Sequence, residues 1–205
     1  MRYYFKHRLP YDWPLYLLIL CGCLFAWGSI FSAANNYKPS EKLTVFLCAQ
    51  GVNEGAQLQA MRTAAEDAGV VRLNMDCYDA GSDKYYTVLA VKGIYGSDVL
   101  ILDEESTELF LAGGNALELS PEVLDNLLGD GREAELRRTA GGRPAALKVW
   151  DGEKGAGFGL ECLELGGAPT SYYLVINGKS VHAMPYAQGE TDAAIRLCRV
   201  LLSDE

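Results

Sequence analysis

The beginning of the chain is dominated by one uninterrupted apolar stretch. Pro14 to Ala33 contains twenty residues and no charge, about the length that crosses a hydrocarbon core of roughly 30 Å. Aromatic side chains, which favour the membrane interface, border its start: Tyr11, Trp13 and Tyr16. The pattern predicts an N-terminal segment over residues 1–13, a transmembrane helix over residues 14–34 and a polar linker over residues 35–42.

The charges around this stretch predict its orientation. Three basic residues precede it, and two follow it with an acid between them: Arg2, Lys6 and Arg8, then Lys38, Glu41 and Lys42. Because basic residues accumulate on the cytoplasmic side, we expect a cytoplasmic N-terminus and a domain anchored outside the cell membrane.

Two alternative interpretations of the apolar stretch stay open. The first is a cleaved signal peptide, which would have a shorter apolar region of roughly 7–15 residues. The second is a lipoprotein signal, because Leu20–Cys23 resembles a lipoprotein box.

After the linker, short apolar runs typical of strands alternate with segments whose apolar residues recur at helical spacing. Apolar residues recur at helical spacing from Leu58 to Ala68, after a cap at Asn53 and before a stop at Gly69. Ser82–Gly93 is rich in strand formers but starts with cap-like residues, and its place in the alternation favours a crossover helix. Three runs have the composition of buried strands: Leu43–Ala49, Val70–Cys77 and Asp98–Asp103. This order predicts an α/β fold with a mainly parallel sheet, in which the three strands are parallel neighbours.

The second half is less regular. Ser120 and Pro121 start a helix that ends at Gly129. The charged, glycine-rich segment 129–142 is predicted to be an exposed connection. A last helix opens at Thr191 and Asp192, with Arg196 and Arg199 facing outward. Three further strands are expected between glycine-rich turns: Ala145–Trp150, Leu160–Leu165 and Tyr172–Ile176.

Composition and charge narrow the possible partners. Hydrophobic residues make up 49% of the chain, enough for residues 43–205 to form one ordinary domain with a core. The formal charge is −9. Residues 1–42 carry five basic and two acidic side chains, so the remainder carries −12. A domain this acidic is not expected to bind nucleic acid, which requires a basic face.

Four cysteines lie in the predicted domain without a CxxC pair: Cys48, Cys77, Cys162 and Cys198. Their wide spacing differs from that of a dense disulfide framework. We expect most of them to be buried thiols, although an even number leaves the disulfide state open.

Polar residues that follow the strands are the candidate ligand-binding positions. In an open parallel sheet, ligands lie beyond the carboxyl ends of the strands. The three predicted ends offer side chains that suit a sugar or a cation: Gln50, then Asp76 and Tyr78, then Asp103 and Glu105. The simpler alternative is that these are solvated loop residues and helix caps, since acids are favourable in the first turn of a helix.

Other motifs carry little chemistry. The glycines of residues 155–159 superficially resemble a phosphate loop, but no helix pattern follows them, so a hairpin turn is the better interpretation. His182 follows a strand and is expected to be structural, because no nucleophile accompanies it. The sequence contains no HExxH, clustered Cys/His or EF-hand pattern, and neither a metal nor a cofactor is expected.

The segments LTVFLCAQG, AAEDAG, VVRLNMDCYDAGSDKYYT, GSDVLILDEES and LFLAGGNALELS together resemble the N-terminal lobe of bacterial extracellular solute-binding proteins of the sugar-binding type. Asp98–Asp103 matches the family's "pDvvil" strand, and Leu111–Leu119 matches the segment that follows it. The resemblance spans about Leu43 to Gly129 and implies one lobe of that fold. The family usually has two lobes that close around the ligand, in about twice this length.

These observations predict a membrane-anchored, non-enzymatic module outside the cytoplasm, associated with a transporter or another membrane protein. Two alternatives stay open. One is a true small-molecule receptor of the sugar type that uses the strand-end residues. The other is a hydrolase that uses His182 or the acidic residues.

Overall fold

A computed structural model describes residues 9–35, 37–129, 134–151, 160, 162–164, 171–187 and 189–203. The chain forms two compact units, Met1–Tyr37 and Lys38–Glu205. The first contains helix α1, Leu9–Asn35. Within α1, Trp13–Ser32 has a mean hydropathy of 2.0 and none of it is buried. This helix is long and apolar enough to cross a membrane, as predicted, although a signal sequence near an N-terminus has the same properties.

The second unit is an α/β domain in which strands and helices alternate through the first half. The unit begins with a short 3-10 turn at Pro39–Glu41. The strands are β1 Lys42–Leu47, β2 Gly51–Val52, β3 Arg72–Cys77, β4 Val99–Asp103, β5 Leu136–Arg138, β6 Pro144–Trp150, β7 Leu163–Glu164 and β8 Tyr172–Ile176. The helices are α2 Ala56–Asp67, α3 Tyr85–Val88, the π-helical turn Leu89–Gly93, α4 Ile94–Gly96, α5 Glu104–Ala112, α6 Pro121–Leu128 and α7 Ala193–Leu202.

Six strands form one sheet in the order β3-β1-β4-β8-β6-β5. Strand β1 pairs in parallel with both β3 and β4, which confirms the prediction that these strands are parallel neighbours. Strand β8 runs antiparallel between β4 and β6, so β6 has the direction of β1. The sheet is therefore mixed, with four strands in one direction and β8 and β5 in the other.

The core lies on both faces of the central strands. Leu43, Phe46 and Leu100 are fully buried, as the continuous apolar runs require when helices cover both faces of a sheet. Helix α7 packs against α2 and α6. Its buried side includes Ile195 and Cys198, and its two arginines face outward as predicted.

Two predicted helix boundaries and one predicted loop need correction. Helix α2 is capped at Gly55, not Asn53. The backbone N–H of Asn53 instead donates to the Cys162 carbonyl, next to the antiparallel ribbon that β2 forms with β7. The crossover helix of segment 82–93 exists, but it begins at Tyr85 and continues as a π-helical turn. Segment 129–142 contains strand β5, which pairs with β6.

Of the predicted strand Leu160–Leu165, the described residues form strand only at Leu163–Glu164. The glycine-rich residues 155–159 lie outside the described residues. The other predicted elements of the second half are confirmed. Ser120 caps α6 by accepting from the Val123 N–H, and Gly129 follows that helix at φ +72°, the left-handed region that glycine enters without strain.

Candidate functional site

The candidate residues lie at one edge of the sheet because β1, β3 and β4 are parallel. The chain leaves β1 for β3 on one side, then crosses to β4 on the other side. This reversal is the topological switch point at which open α/β sheets bind ligands. Cys48 follows β1 at this edge, Tyr78 follows β3, and Asp103 ends β4.

Asp76 and Tyr78 are joined by a cation that the sequence did not reveal. Lys92 Nζ donates to the Tyr78 hydroxyl at 2.7 Å and lies 3.5 Å from Asp76 Oδ2. The hydrogen bond to Tyr78, followed by the charge of Asp76, raises the pKa of Lys92. The Tyr78 ring also stacks on Phe46, with 5.2 Å between ring centroids. Both candidate side chains thus already have partners within the domain.

Asp103 acts as a helix cap. Its Oδ1 accepts from the Ser106 N–H at 2.8 Å, and its carbonyl accepts from the Thr107 hydroxyl at 2.6 Å. Glu105 lies exposed in the first turn of α5, where its charge complements the helix dipole. These positions match the simpler alternative that the sequence left open.

The neighbouring Glu104 is also engaged. It forms an ion pair with Arg137 of β5, and Arg137 Nε donates to the Tyr173 hydroxyl at 3.0 Å. The Arg137 guanidinium lies over the Tyr173 ring, 5.4 Å from its centroid, which adds a cation–π contact. Strand β5, at the edge of the sheet, therefore contributes a contact to helix α5, which begins at the switch point.

Gln50 belongs to a different part of this edge. Its backbone N–H donates to the Glu164 carbonyl at 2.8 Å, which places it at the β2–β7 ribbon, and its side chain is exposed. The structure therefore places the five candidates in three local settings: the Lys92 cluster, the first turn of α5, and the ribbon.

Behind the exposed groups lies a buried polar cluster that the sequence did not identify. Tyr85 and Ser106 are fully buried, and among the described residues neither hydroxyl has a hydrogen-bond partner of normal geometry. The Tyr85 hydroxyl adjoins Cys48 and Ser106. Burial raises the pKa of both Cys48 and Tyr85, so this cluster is uncharged at neutral pH. Its only sequence signal was Ser106, three residues after a capping Asp103.

The opposite edge of the sheet holds a saturated polar network. Asp98 accepts from the Thr44 N–H at 2.8 Å and from the Ser180 hydroxyl at 2.6 Å. The Asn177 amide donates to the Ser97 carbonyl at 2.9 Å. Since buried polar groups are costly unless hydrogen-bonded, this network stabilises the fold where the chain enters β4.

His182 belongs to this stabilising part of the molecule. Its ring is fully buried. Nε2 lies 3.1 Å and 3.0 Å from the carbonyl oxygens of Pro39 and Lys42, and Nδ1 lies 2.7 Å from the Thr191 hydroxyl. Carbonyl oxygens only accept, so Nε2 donates to them, and Nδ1 is hydrogen-bonded to the Thr191 hydroxyl. This is the structural role that the sequence predicted.

The cysteines form no disulfide in the described part of the chain. Cys48, Cys162 and Cys198 are buried, and Cys77 is half-buried, which agrees with the expectation of plain buried thiols. Within the described ranges, no group of three or more His, Cys, Asp or Glu residues is arranged to hold a metal ion.

No known protein-family model matches this chain, and no curated protein sequence matches it significantly.

Proposed function

We propose that this protein is a membrane-anchored, non-enzymatic interaction module, with a single α/β lobe of solute-binding type that acts beside a transporter or another membrane protein. The proposal is supported mainly by the contacts that the polar side chains at the switch point make within the domain. A receptor for polar ligands presents convergent polar groups that are free to bind. Here Asp76 and Tyr78 each contact Lys92, and Asp103 caps α5.

The relation to a solute-binding lobe rests on the sequence segments that resemble that family. The parallel arrangement of β3, β1 and β4 supports it, because the segments fall on consecutive strands and crossover helices. The contacts of His182 support a non-enzymatic role. Both of its ring nitrogens are engaged inside the fold, so the ring has no nitrogen available for general acid–base catalysis.

The location outside the cytoplasm rests on α1 and on the charges before Pro14. A cysteine-accessibility experiment tests it. The exposed Ser82→Cys variant should react with a membrane-impermeant maleimide on intact cells that express the full chain. The wild type should react slowly, because its domain cysteines are buried or half-buried and the pKa values of Cys48, Cys77 and Cys198 are raised by burial, which keeps them as unreactive thiols.

The wild-type chain is therefore the background control for this labelling. Detergent-opened cells provide the second control, since Ser82→Cys should be labelled there whatever its side of the membrane. Labelling only after the cells are opened would contradict the proposed orientation.

A sugar receptor is the second candidate, and the buried cluster favours it. Within the described part of the chain, the buried Tyr85 and Ser106 hydroxyls beside the switch point have no hydrogen bond of normal geometry, and buried hydroxyls of this kind are groups that a ligand hydroxyl can pair with. However, one lobe encloses a ligand only partly, so fewer contacts offset the entropic cost of binding. We expect a Kd of about 1 mM or weaker for free sugars, measured by calorimetry on the full chain in lipid nanodiscs.

Three variants sharpen this measurement. Asp103→Ala should lower stability by about 1 kcal/mol through loss of the helix cap, whereas Asp103→Asn keeps a capping oxygen. Tyr85→Phe removes one of the two buried hydroxyls of the cluster. Micromolar sugar binding that is lost in both Tyr85→Phe and Asp103→Asn would overturn the interaction-module proposal in favour of the receptor.

A further inference from the structure

A groove between α6, α7 and the turn before α7 lies apart from the switch point. Its volume is about 320 Å³. The side chains that matter for its chemistry are Asn126, Met184, Tyr186, Asp192, Arg196 and Arg199. Met184 is 43% exposed although it is a large apolar side chain. The groove therefore combines an apolar wall with two arginines, on a domain whose formal charge is −12.

The Arg199 side chain is positioned by neutral hydrogen-bond acceptors, which leave its positive charge uncompensated. Its Nε donates to the Asn126 carbonyl at 2.9 Å, and its Nη2 donates to the Asn126 side-chain oxygen. The Asn126 amide in turn donates to the Tyr186 hydroxyl. Among the described residues, no carboxylate pairs with Arg199. Its guanidinium is thus preorganised by neutral acceptors, and N–H groups remain for a ligand.

Arg196 adds to the positive charge. Its Nε donates to Asp192 Oδ2 at 2.8 Å, and both side chains of this pair are partly exposed. An exposed ion pair of this kind contributes little to stability. It also leaves the other guanidinium nitrogens of Arg196 accessible. With two arginines and one aspartate, the lining carries one net positive charge.

We propose that this groove docks an acidic peptide segment of a partner protein, with a carboxylate on Arg199 and an adjacent apolar side chain on Tyr186 and Met184. Guanidinium groups bind carboxylates through two parallel hydrogen bonds. The acidic domain repels anionic segments elsewhere, so charge complementarity directs such a segment to this groove. The inference rests on the proposed role as an interaction module and names the chemistry of its partner.

A peptide suits the groove better than a small carboxylate because the groove is open. Small ligands are held in sites that bury most of their surface. Along this groove, Met184 and Arg196 stay partly exposed, so a small molecule would leave much of its surface in water. A peptide adds the contact of a neighbouring apolar residue to the carboxylate contact.

Fluorescence anisotropy tests the proposal with the full chain in zwitterionic lipid nanodiscs. The probe is a labelled peptide with a central Glu-Phe pair flanked by glycine and serine. Wild type should bind it saturably, and Arg199→Gln should weaken binding at least about tenfold, the usual effect of losing a hydrogen bond to a charged group. Arg62→Gln is the matched control, since Arg62 lines another groove and faces Glu54; it should bind like the wild type.

A second readout does not depend on the folding of any variant. The same peptide with Gln-Phe in place of Glu-Phe should bind wild type at least about tenfold more weakly. Absence of saturable binding to wild type, equal binding of both peptides, or unchanged binding by folded Arg199→Gln would overturn the proposal. So would displacement by 3-phenylpropionate at the same concentration as unlabelled peptide, which would indicate a small-carboxylate site. None of these results bears on the sugar calorimetry, so the two proposals fail separately.

Discussion

Replacing Leu100 with aspartate is expected to abolish folding of the α/β domain. Leu100 is fully buried in β4, where it pairs with Phe46 of β1 and Val175 of β8. The aspartate would place an unpaired charge in the hydrophobic core of the domain. Burial of an unpaired charge is one of the few mechanisms that cost more than about 4 kcal/mol, which is a large loss against a total stability of about 5–15 kcal/mol for a domain.

The measurement is thermal unfolding of the full chain in nanodiscs, followed by circular dichroism and by protease resistance. Leu109→Asp is the matched control, because Leu109 is half exposed on α5 and should lose no more than about 0.5 kcal/mol. A Leu100→Asp chain that melts cooperatively near the wild-type temperature would show that β4 does not form the centre of the sheet.

The parallel half of the sheet is predictable because it carries a local signal. Strands buried on both faces appear as continuous apolar runs, and Leu43–Ala49 and Asp98–Asp103 have that form. Tyr85 and Leu89 illustrate a harder case. They are buried four residues apart, so packing against the sheet imposes helix on a segment of strand formers. The alternation of elements and the cap-like start of the segment predict that helix, whereas its overall composition does not.

The antiparallel half is not predictable in the same way. Tyr172–Ile176 is recognisable as a strand, but its insertion between β4 and β6 depends on pairings such as Leu100 with Val175, far apart in the chain. Strand β5 lies in a segment whose charges indicate a loop. Arg137 is accommodated there because Glu104 and Tyr173 provide partners, and those partners come from elements brought close only by the tertiary fold.

The same limit applies to the candidate site. That the strand ends share an edge follows from parallel pairing, and the cap at Asp103 follows from the acidic start of α5. The residues that contact these side chains, in contrast, could not be predicted from the sequence. Lys92 approaches Tyr78 from the π-helical turn, and Tyr85 approaches Cys48 from α3. Neither approach is encoded in residue spacing.

Replacing His182 with alanine is expected to lower the free energy of unfolding by about 3 kcal/mol. The change removes the donor to the Pro39 and Lys42 carbonyls and the hydrogen-bond partner of the Thr191 hydroxyl. It also leaves a cavity where a fully buried ring was packed. Lost hydrogen bonds that leave buried groups unsatisfied cost about 1–3 kcal/mol, and the cavity adds to this loss. Thermal unfolding of the full chain measures the sum.

Thr191→Val is the matched control for this prediction. It removes only the hydroxyl that binds Nδ1, leaving the ring and its bond to the carbonyls in place, so the expected loss is about 1 kcal/mol. The free energy of unfolding should therefore be lowest for His182→Ala, intermediate for Thr191→Val and highest for the wild type, because the first change removes more contacts than the second. If both variants unfold at the wild-type temperature, the imidazole does not stabilise the start of the domain. His182 would then have to be reconsidered as a functional group, and the hydrolase hypothesis would gain support.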